Sequence, residues 1–122
     1  MKVYVATKWE NRFAAWNWMR KLESKGHVIT HDWTQEDAGN ADNDYLRTCA
    51  AKDVQGVKDC DALVLINHPA VCGALVEFGI ALGLGKHLIL VDYDGPSAIF
   101  YRLPNVYHVK NLAEAVFLLG TL

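Results

Sequence analysis

The sequence predicts an α/β fold: a flavodoxin-like or Rossmann-like, doubly wound, five-stranded parallel sheet with helices on both faces, in three layers. Strand-like and helix-like segments alternate along the 122 residues without a linker or a repeat, which is typical of successive βαβ units. Two strand-like segments, 62–66 and 88–91, are continuous apolar runs, as in strands buried on both faces of a parallel sheet. The length fits a single domain over residues 1–122.

The strands are predicted from β-branched and apolar runs that end at turn residues. They are expected at 3–7, 27–33, 62–66, 87–91 and 106–109. The segment 92–104 contains Gly95 and Pro96, so we expect a loop there with a helical turn.

The helices are predicted from apolar residues at helical spacing and from glycines that follow them. In the first helix, Phe13, Trp16, Met19 and Leu22 recur at this spacing, and Trp16 is expected in the core. The helices are expected at 11–25, 43–59, 74–84 and 111–119.

Composition excludes several classes of protein. The net charge is −2 and the chain has no basic stripe, so we expect no nucleic-acid partner. No apolar run approaches the ~20 residues of a membrane span, so we expect no membrane partner. The chain begins directly with a strand pattern, and its three cysteines lack a CxxC spacing. A reduced, cytoplasmic protein is therefore expected.

Ligands of open parallel sheets bind at the carboxyl ends of the strands. Trp9 and Trp33 lie at such ends and could stack on a planar base. Lys8 and Arg12 could bind an anion near a helix N-terminus, or be ordinary surface charges. The candidate substrate-binding residues are Thr7, Lys8, Trp9, Arg12, Trp33, His68, Gly73, Ser97, Tyr101 and Arg102.

Glu77 is the only formally charged residue between Asp61 and Lys86. Its predicted helix is apolar all round and should be buried, where a carboxylate is costly. Its predicted place in the first turn favours the ionised form that a nucleophile needs. Alternatively, Glu77 accepts hydrogen bonds from free backbone N–H groups at the helix start.

Asp53 falls on the apolar stripe of the second helix, which we expect to face the core. Neither Lys52 nor Lys58 has the spacing of a helical ion pair with it. Two carboxylates in one pocket, Asp53 and Glu77, suit glycosidic chemistry. The histidines and cysteines have no metal-ligand spacing, and we expect neither a metal nor an organic cofactor.

Three segments resemble the nucleoside 2-deoxyribosyltransferase family, including its 2′-deoxynucleoside 5′-phosphate N-hydrolase branch. They are KVYVAT at 2–7, DVQGVKDCDALVLI at 53–66 and GALVEFGIALGLGKHLILV at 73–91. The resemblance implies that Glu77 attacks C1′ of a 2-deoxyribosyl group and that Tyr4 orients it. It also implies that Asp53 binds sugar hydroxyls or assists proton transfer, and that Gly73 allows close approach of the ligand.

The resemblance implies transfer of a deoxyribosyl group to another base, with hydrolysis of a 5′-monophosphate as the alternative. Loop 67–73 is shorter than in the transferases, and the arginine-containing first loop of the hydrolases is missing. Ser97 resembles a phosphate-contacting serine from a neighbouring subunit, so a nucleoside and a nucleotide both stay open as substrates. A different class of function is a non-catalytic nucleotide-binding module, since fold does not fix function.

Large apolar residues are dense in the loop 92–104, which suggests an interface. The resemblance implies the same, because members of the family complete each active site with residues from a neighbouring subunit. We expect a homodimer or larger even-numbered assembly, with Ser97, Tyr101 or Arg102 reaching the partner's pocket. Alternatively, the aromatic residues of the loop fold back over their own sheet.

Overall fold

A computed structural model describes residues 1–37, 39–69, 71–91 and 98–122 of the chain. Its centre is a parallel five-stranded sheet in the order β2-β1-β3-β4-β5, which confirms the predicted α/β class and flavodoxin-like order. The strands are β1 (Lys2–Ala6), β2 (Val28–Ile29), β3 (Ala62–Ile66), β4 (His87–Val91) and β5 (Val106–Val109).

The described residues form four α-helices, each close to its predicted position. They are α1 (Arg12–Ser24), α2 (Asn43–Asp59), α3 (Gly73–Gly83) and α4 (Leu112–Leu119). Side chains of Asp42 and Asn111 cap α2 and α4 by accepting hydrogen bonds from backbone N–H groups. None of the described helices combines the length and apolar character of a membrane span.

The inner strands β1, β3 and β4 supply most of the buried residues of the sheet. Every residue of β3 is buried, as are the last four residues of β1 and of β4. The apolar runs in the sequence therefore marked the inner strands of the sheet correctly.

The second strand is shorter than predicted. Pairing of β2 with β1 covers only Val28 and Ile29, after which the Thr30 amide donates to the carbonyl of Val3. The chain then leaves the sheet, and Trp33 begins a 3₁₀ turn, Trp33–Gln35. Because this edge strand is short, the residues after it bend over the carboxyl end of β1.

The core face of α1 also differs from the prediction. Trp18 is buried together with Ala15, Met19 and Leu22, whereas Trp16 is 40% exposed. Positions 16 and 18 lie on different sides of a helix, so only one of these tryptophans can face the sheet. The expectation that Trp16 belongs to the core was wrong.

The predicted helical turn in the loop 92–104 is the 3₁₀ turn Ile99–Arg102. It precedes β5 and lies beside α3, where the rings of Tyr101 and Phe78 meet edge to face, 5.5 Å apart.

Candidate active site

A cleft of about 300 Å³ opens among the segments that follow β1, β2 and β3, at the carboxyl edge of the sheet. This is the edge where ligands of open parallel sheets bind. The residues lining it are Thr7, Lys8, Trp9, Glu10, Trp33, Glu36, Asp53, Cys72, Gly73, Ala74 and Glu77. Both predicted acidic residues, Asp53 and Glu77, are therefore in one cleft.

The carboxyl group of Glu77 is hydrogen-bonded to a side chain of the inner strand β1. Tyr4 of β1 is fully buried, and its hydroxyl donates a hydrogen bond to Oε2 of Glu77. Burial raises the pKa of Glu77 to about 8, the Tyr4 hydrogen bond opposes this rise, and the charges of Asp53 and Glu36 add to it. Burial and the same carboxylates raise the pKa of Tyr4, so its hydroxyl remains a hydrogen-bond donor.

The setting of Glu77 differs in two respects from the sequence prediction. Because α3 begins at Gly73, Glu77 is its fifth residue, and the first turn holds no acidic residue. The helix is also not buried all round, since Val76 is 63% exposed. The effect of the helix dipole falls off within the first turn, so at this position burial is the main cause of the raised pKa of Glu77.

Asp53 does not stand alone on α2. Nε2 of His31 lies 3.2 Å from Oδ1 of Asp53 and 3.4 Å from Oε2 of Glu36. Burial, together with the charge and hydrogen bond of Glu36, raises the pKa of Asp53 to about 7, against the lowering effect of His31. Burial also raises the pKa of Glu36. Asp53 is thus a carboxyl group that can carry a proton near neutral pH.

Gly56, one helical turn after Asp53, allows this packing. A Cβ atom at position 56 would lie 2.7 Å from Cβ of His31 and 3.0 Å from Cε2 of Tyr4. Its carbonyl also accepts a 2.7 Å hydrogen bond from the hydroxyl of Thr30, next to His31. The absence of a side chain on α2 therefore lets both His31 and Tyr4 reach their places behind the carboxyl groups.

Two tryptophans form one wall of the cleft. Trp33 is buried, and its indole N–H donates a 2.7 Å hydrogen bond to the carbonyl of Val5. The Trp9 ring lies 6.1 Å from that of Trp33, and the Arg12 guanidinium lies 4.8 Å from the Trp9 ring. Trp9 thus presents an aromatic surface on the cleft, while Arg12 lines an adjoining groove with Phe13 and Trp16.

The remaining predicted binding residues in the cleft occupy its rim and floor. The Thr7 hydroxyl donates to the carbonyl of Ile66, which ties the ends of β1 and β3 together. Nζ of Lys8 lies 3.6 Å from Oε2 of Glu10. A Cβ atom on Gly73 would meet nothing within 4 Å, so the cleft is open at that position.

Among the described residues, four predicted binding residues do not line this cleft: Arg12, which lies in the adjoining groove, and His68, Tyr101 and Arg102. His68 is half-buried and does not line it, and Arg102 is exposed on the 3₁₀ turn before β5. Tyr101 is 2% exposed and packs on Phe78, so its predicted reach into a partner's pocket is wrong. Ser97 lies outside the described residues.

Sequence reasoning missed His31, Glu36 and Cys72. His31 and Glu36 lie in the segment after β2, where the polar sequence carries no periodic signal. Cys72 is exposed at the mouth of the cleft, immediately before α3. Potential ligand atoms of His31, Glu36 and Asp53 all lie within 4.8 Å of one another, so these three residues form a group that could hold a metal ion in the described part of the chain.

The chain matches no protein-family model, and no curated protein matches it in sequence. Solved structures do resemble it. The CMP N-glycosidase BcmB of Clostridium botulinum is 21% identical, with a TM-score of 0.68 over 100% of both chains. A 2-deoxyribosyltransferase from the psychrotolerant bacterium Bacillus psychrosaccharolyticus is 16% identical, with a TM-score of 0.72 over 95% of this chain and 90% of the other. The chain therefore shares its fold with these two proteins.

Proposed function

We propose that the chain is an enzyme of the nucleoside 2-deoxyribosyltransferase type, which cleaves the N-glycosidic bond of a 2′-deoxynucleoside or its 5′-monophosphate. The observation that carries this proposal is the carboxyl group of Glu77, which borders the cleft and accepts a hydrogen bond from the buried Tyr4 hydroxyl. A second carboxyl group, that of Asp53, lines the same cleft. One group to attack and one to transfer a proton are what a retaining glycosidic reaction requires.

In the first step, an oxygen of the Glu77 carboxylate forms a bond to C1′ as the C1′–N bond breaks. The electron pair of that bond passes to the base, which takes a proton from Asp53. In the second step, another base or water attacks C1′ and releases Glu77, and the acceptor returns a proton to Asp53. The two inversions give net retention, and both steps as written use only residues of the cleft and the acceptor.

The other cleft residues have places in this scheme. Trp9 and Trp33 offer aromatic surface to a planar base. Lys8 at the rim, with Arg12 in the adjoining groove, gives positive charge toward the 5′ end of the substrate. The two similar structures support the scheme, because one is a 2-deoxyribosyltransferase and the other is an N-glycosidase.

One experiment distinguishes the proposed transferase from two alternatives, a hydrolase and a non-catalytic nucleotide-binding module. Incubation with deoxyadenosine or dAMP, with and without free cytosine, is followed by chromatography of the bases and nucleosides. Deoxycytidine formed in the presence of cytosine supports transfer, which we expect. Free adenine formed without an acceptor indicates the hydrolase, and binding without products indicates a nucleotide-binding module.

The same assay includes adenosine, AMP and CMP, because CMP in the name of the Clostridium enzyme is a ribonucleotide. We expect faster turnover of the deoxy substrates, since a 2′-hydroxyl withdraws electrons from an oxocarbenium-like transition state. Equal rates on deoxyadenosine and adenosine would contradict the assignment of the sugar.

The variants Glu77→Gln and Glu77→Ala should lose activity by about 10³-fold or more while keeping the fold, because the nucleophile is removed. The surface variant Glu23→Gln is the matched control, since Glu23 pairs with Arg20 on α1. A Glu77→Ala variant with near-normal turnover would overturn the mechanism.

Cys72 offers a direct test that the substrate occupies this cleft. It is exposed in the cleft, whereas Cys49 is half-buried and Cys60 is buried. Substrate should therefore slow labelling of Cys72 by a thiol reagent, and Cys72→Ser should remove the protected signal. Unchanged labelling at saturating substrate would place the ligand elsewhere.

The assembly belongs to the same proposal. Ile99 and Phe100 are 79% and 56% exposed, and Phe100 borders an apolar cavity of about 380 Å³ against α3. Val76 on α3 is also exposed, at 63%. Such surfaces usually mark interfaces, which supports a homodimer or larger even-numbered assembly. The three free cysteines fit a reducing compartment, and we place the enzyme in the cytoplasm.

A further inference from the structure

We propose that His31 and Glu36 are positioning residues that share a proton with Asp53 and aim it at the leaving base, so that the three side chains act as one proton relay. The inference rests on the proposed function, in which Asp53 protonates the base. It goes beyond it by giving a role to two residues that never touch the reacting atoms.

The geometry places one imidazole between two carboxyl groups. Nε2 of His31 is 3.2 Å from Asp53 and 3.4 Å from Glu36, and the three side chains are each about three-quarters or more buried. Glu36 and Asp53 both line the cleft, while His31 packs behind them against Gly56. The ring nitrogen therefore lies within hydrogen-bond distance of both carboxyl groups.

Among the described residues that influence the proton affinities of this cluster, carboxyl groups outnumber cations. The pKa of Asp53 is influenced by Glu36 and His31. The pKa of Glu77 is influenced by Tyr4, Asp53 and Glu36. Lys52 and Cys49 of α2 lower the pKa of Glu36. Carboxyl groups crowded in this way cannot all ionise, so a proton is shared among them near neutral pH.

One atom indicates where that proton is needed. Oδ1 of Asp53 is buried, and among the described residues it has no hydrogen bond of acceptable angle, although His31 is 3.2 Å away. A buried carboxyl oxygen without a donor is better satisfied when the group is protonated or when a ligand supplies a donor. In the relay, Asp53 gives its proton to the departing base and recovers one from the acceptor, so no net proton is consumed.

The relay predicts opposite effects of its two positioning residues on the pH profile. Glu36→Gln removes a negative charge beside Asp53, so the alkaline limb of kcat/KM should move to lower pH. His31→Gln removes the group that stabilises ionised Asp53, so the same limb should move to higher pH. The variant Asp37→Asn is the matched control, because Asp37 is the exposed neighbour of Glu36 in the same segment, and it should leave the limb in place.

Substrates that differ in their need for a proton provide the decisive comparison. 7-Methyl-2′-deoxyguanosine carries a cationic base that can leave without protonation, whereas 2′-deoxyguanosine needs a proton. We expect Asp53→Asn to lower kcat on deoxyguanosine by about 10²-fold or more, and Glu36→Gln and His31→Gln by roughly tenfold. On the methylated substrate, all three should lie within about threefold of wild type, by the same argument.

Each other outcome overturns a stated part. Equal losses on both substrates, or limbs that do not move, would make His31 and Glu36 merely structural, while loss of turnover in Glu77→Gln would still support the proposed function. Activity that is abolished by EDTA and restored by a divalent metal would make the cluster a metal site and end the relay. Wild-type protein inactive on both substrates would remove the proposed function, and the relay with it.

Discussion

The hydroxyl of Tyr4, buried in the inner strand β1, donates a hydrogen bond to Oε2 of Glu77 on α3. This hydrogen bond connects strand β1 to the carboxyl group that borders the cleft. It holds one carboxyl oxygen in place, and the proposed mechanism uses the other for attack on the substrate. It also favours the ionised form of a group whose burial favours the protonated form.

Tyr4→Phe should therefore reduce activity without unfolding the protein. Loss of the donated hydrogen bond raises the pKa of Glu77 further, so the acid limb of kcat/KM should move to higher pH. A charged-group hydrogen bond contributes about 1.5–3 kcal/mol, which corresponds to a loss of roughly 10–100-fold. Steady-state rates between pH 5 and 9 measure both effects, and an unmoved acid limb would separate Tyr4 from the ionisation of Glu77.

Glu77→Gln should stabilise the fold more at pH 8 than at pH 5. The pKa of Glu77 is raised from its usual 4.5 to about 8, so the folded state binds a proton that the unfolded state has lost between these values. Wild-type stability therefore falls as pH rises from about 4.5 to 8, and a neutral amide does not share this fall. We expect a gain on the order of 1–3 kcal/mol at pH 8, measured by urea unfolding. An equal effect at both pH values would contradict the raised pKa.

Gly56→Ala should disturb the site and the fold together. The added Cβ would lie 2.7 Å from Cβ of His31, and the ring of Tyr4 is also in its way. Overpacking of this kind costs about 1–3 kcal/mol, and displacement of His31 and Tyr4 should lower kcat. Gly83→Ala is the control, because a Cβ there meets nothing within 4 Å and alanine is the better helix former. Thermal unfolding and turnover should show losses for Gly56→Ala and not for Gly83→Ala. A Gly56→Ala variant as stable and active as wild type would show that position 56 does not require glycine.

The sheet was predictable because its inner strands are chemically uniform. The strands predicted at 62–66 and 87–91 from apolar runs correspond residue for residue to β3 and β4. The edge strand β2 was overestimated because strand-forming residues continue to Trp33, although pairing stops at Ile29. Strand propensity alone does not reveal that the indole of Trp33 bonds across to the carbonyl of Val5.

The site was predictable where one residue broke a local pattern. Glu77 and Asp53 stood out as charges within apolar stripes, and both line the cleft. Glu36 and His31 lie in a polar segment where charged residues are ordinary, so only the fold reveals their approach to Asp53. Tyr101 was misplaced because an aromatic residue in a loop can face its own core or a partner, and here it packs on Phe78.

Phe100→Ser should weaken the proposed assembly. Phe100 is 56% exposed on the 3₁₀ turn before β5, beside the apolar cavity against α3. Light scattering across micromolar concentrations should report a dimer or larger species for wild type and a lower mass for the variant. The control is Phe117→Ser on α4, where the ring is 77% exposed. Wild-type protein that is monomeric at 13.6 kDa and fully active would remove the interface.

The most direct test of the central claim is to detect a sugar covalently bound to Glu77. A nucleoside of 2-deoxy-2-fluoroarabinose should form the glycosyl enzyme and slow its breakdown, because fluorine destabilises the oxocarbenium-like transition state. After acid quenching, mass spectrometry should find one added fluorodeoxypentosyl group on the peptide that contains Glu77, and none on Glu77→Gln. An unmodified Glu77 peptide during active turnover, or a sugar attached to another residue, would contradict the account.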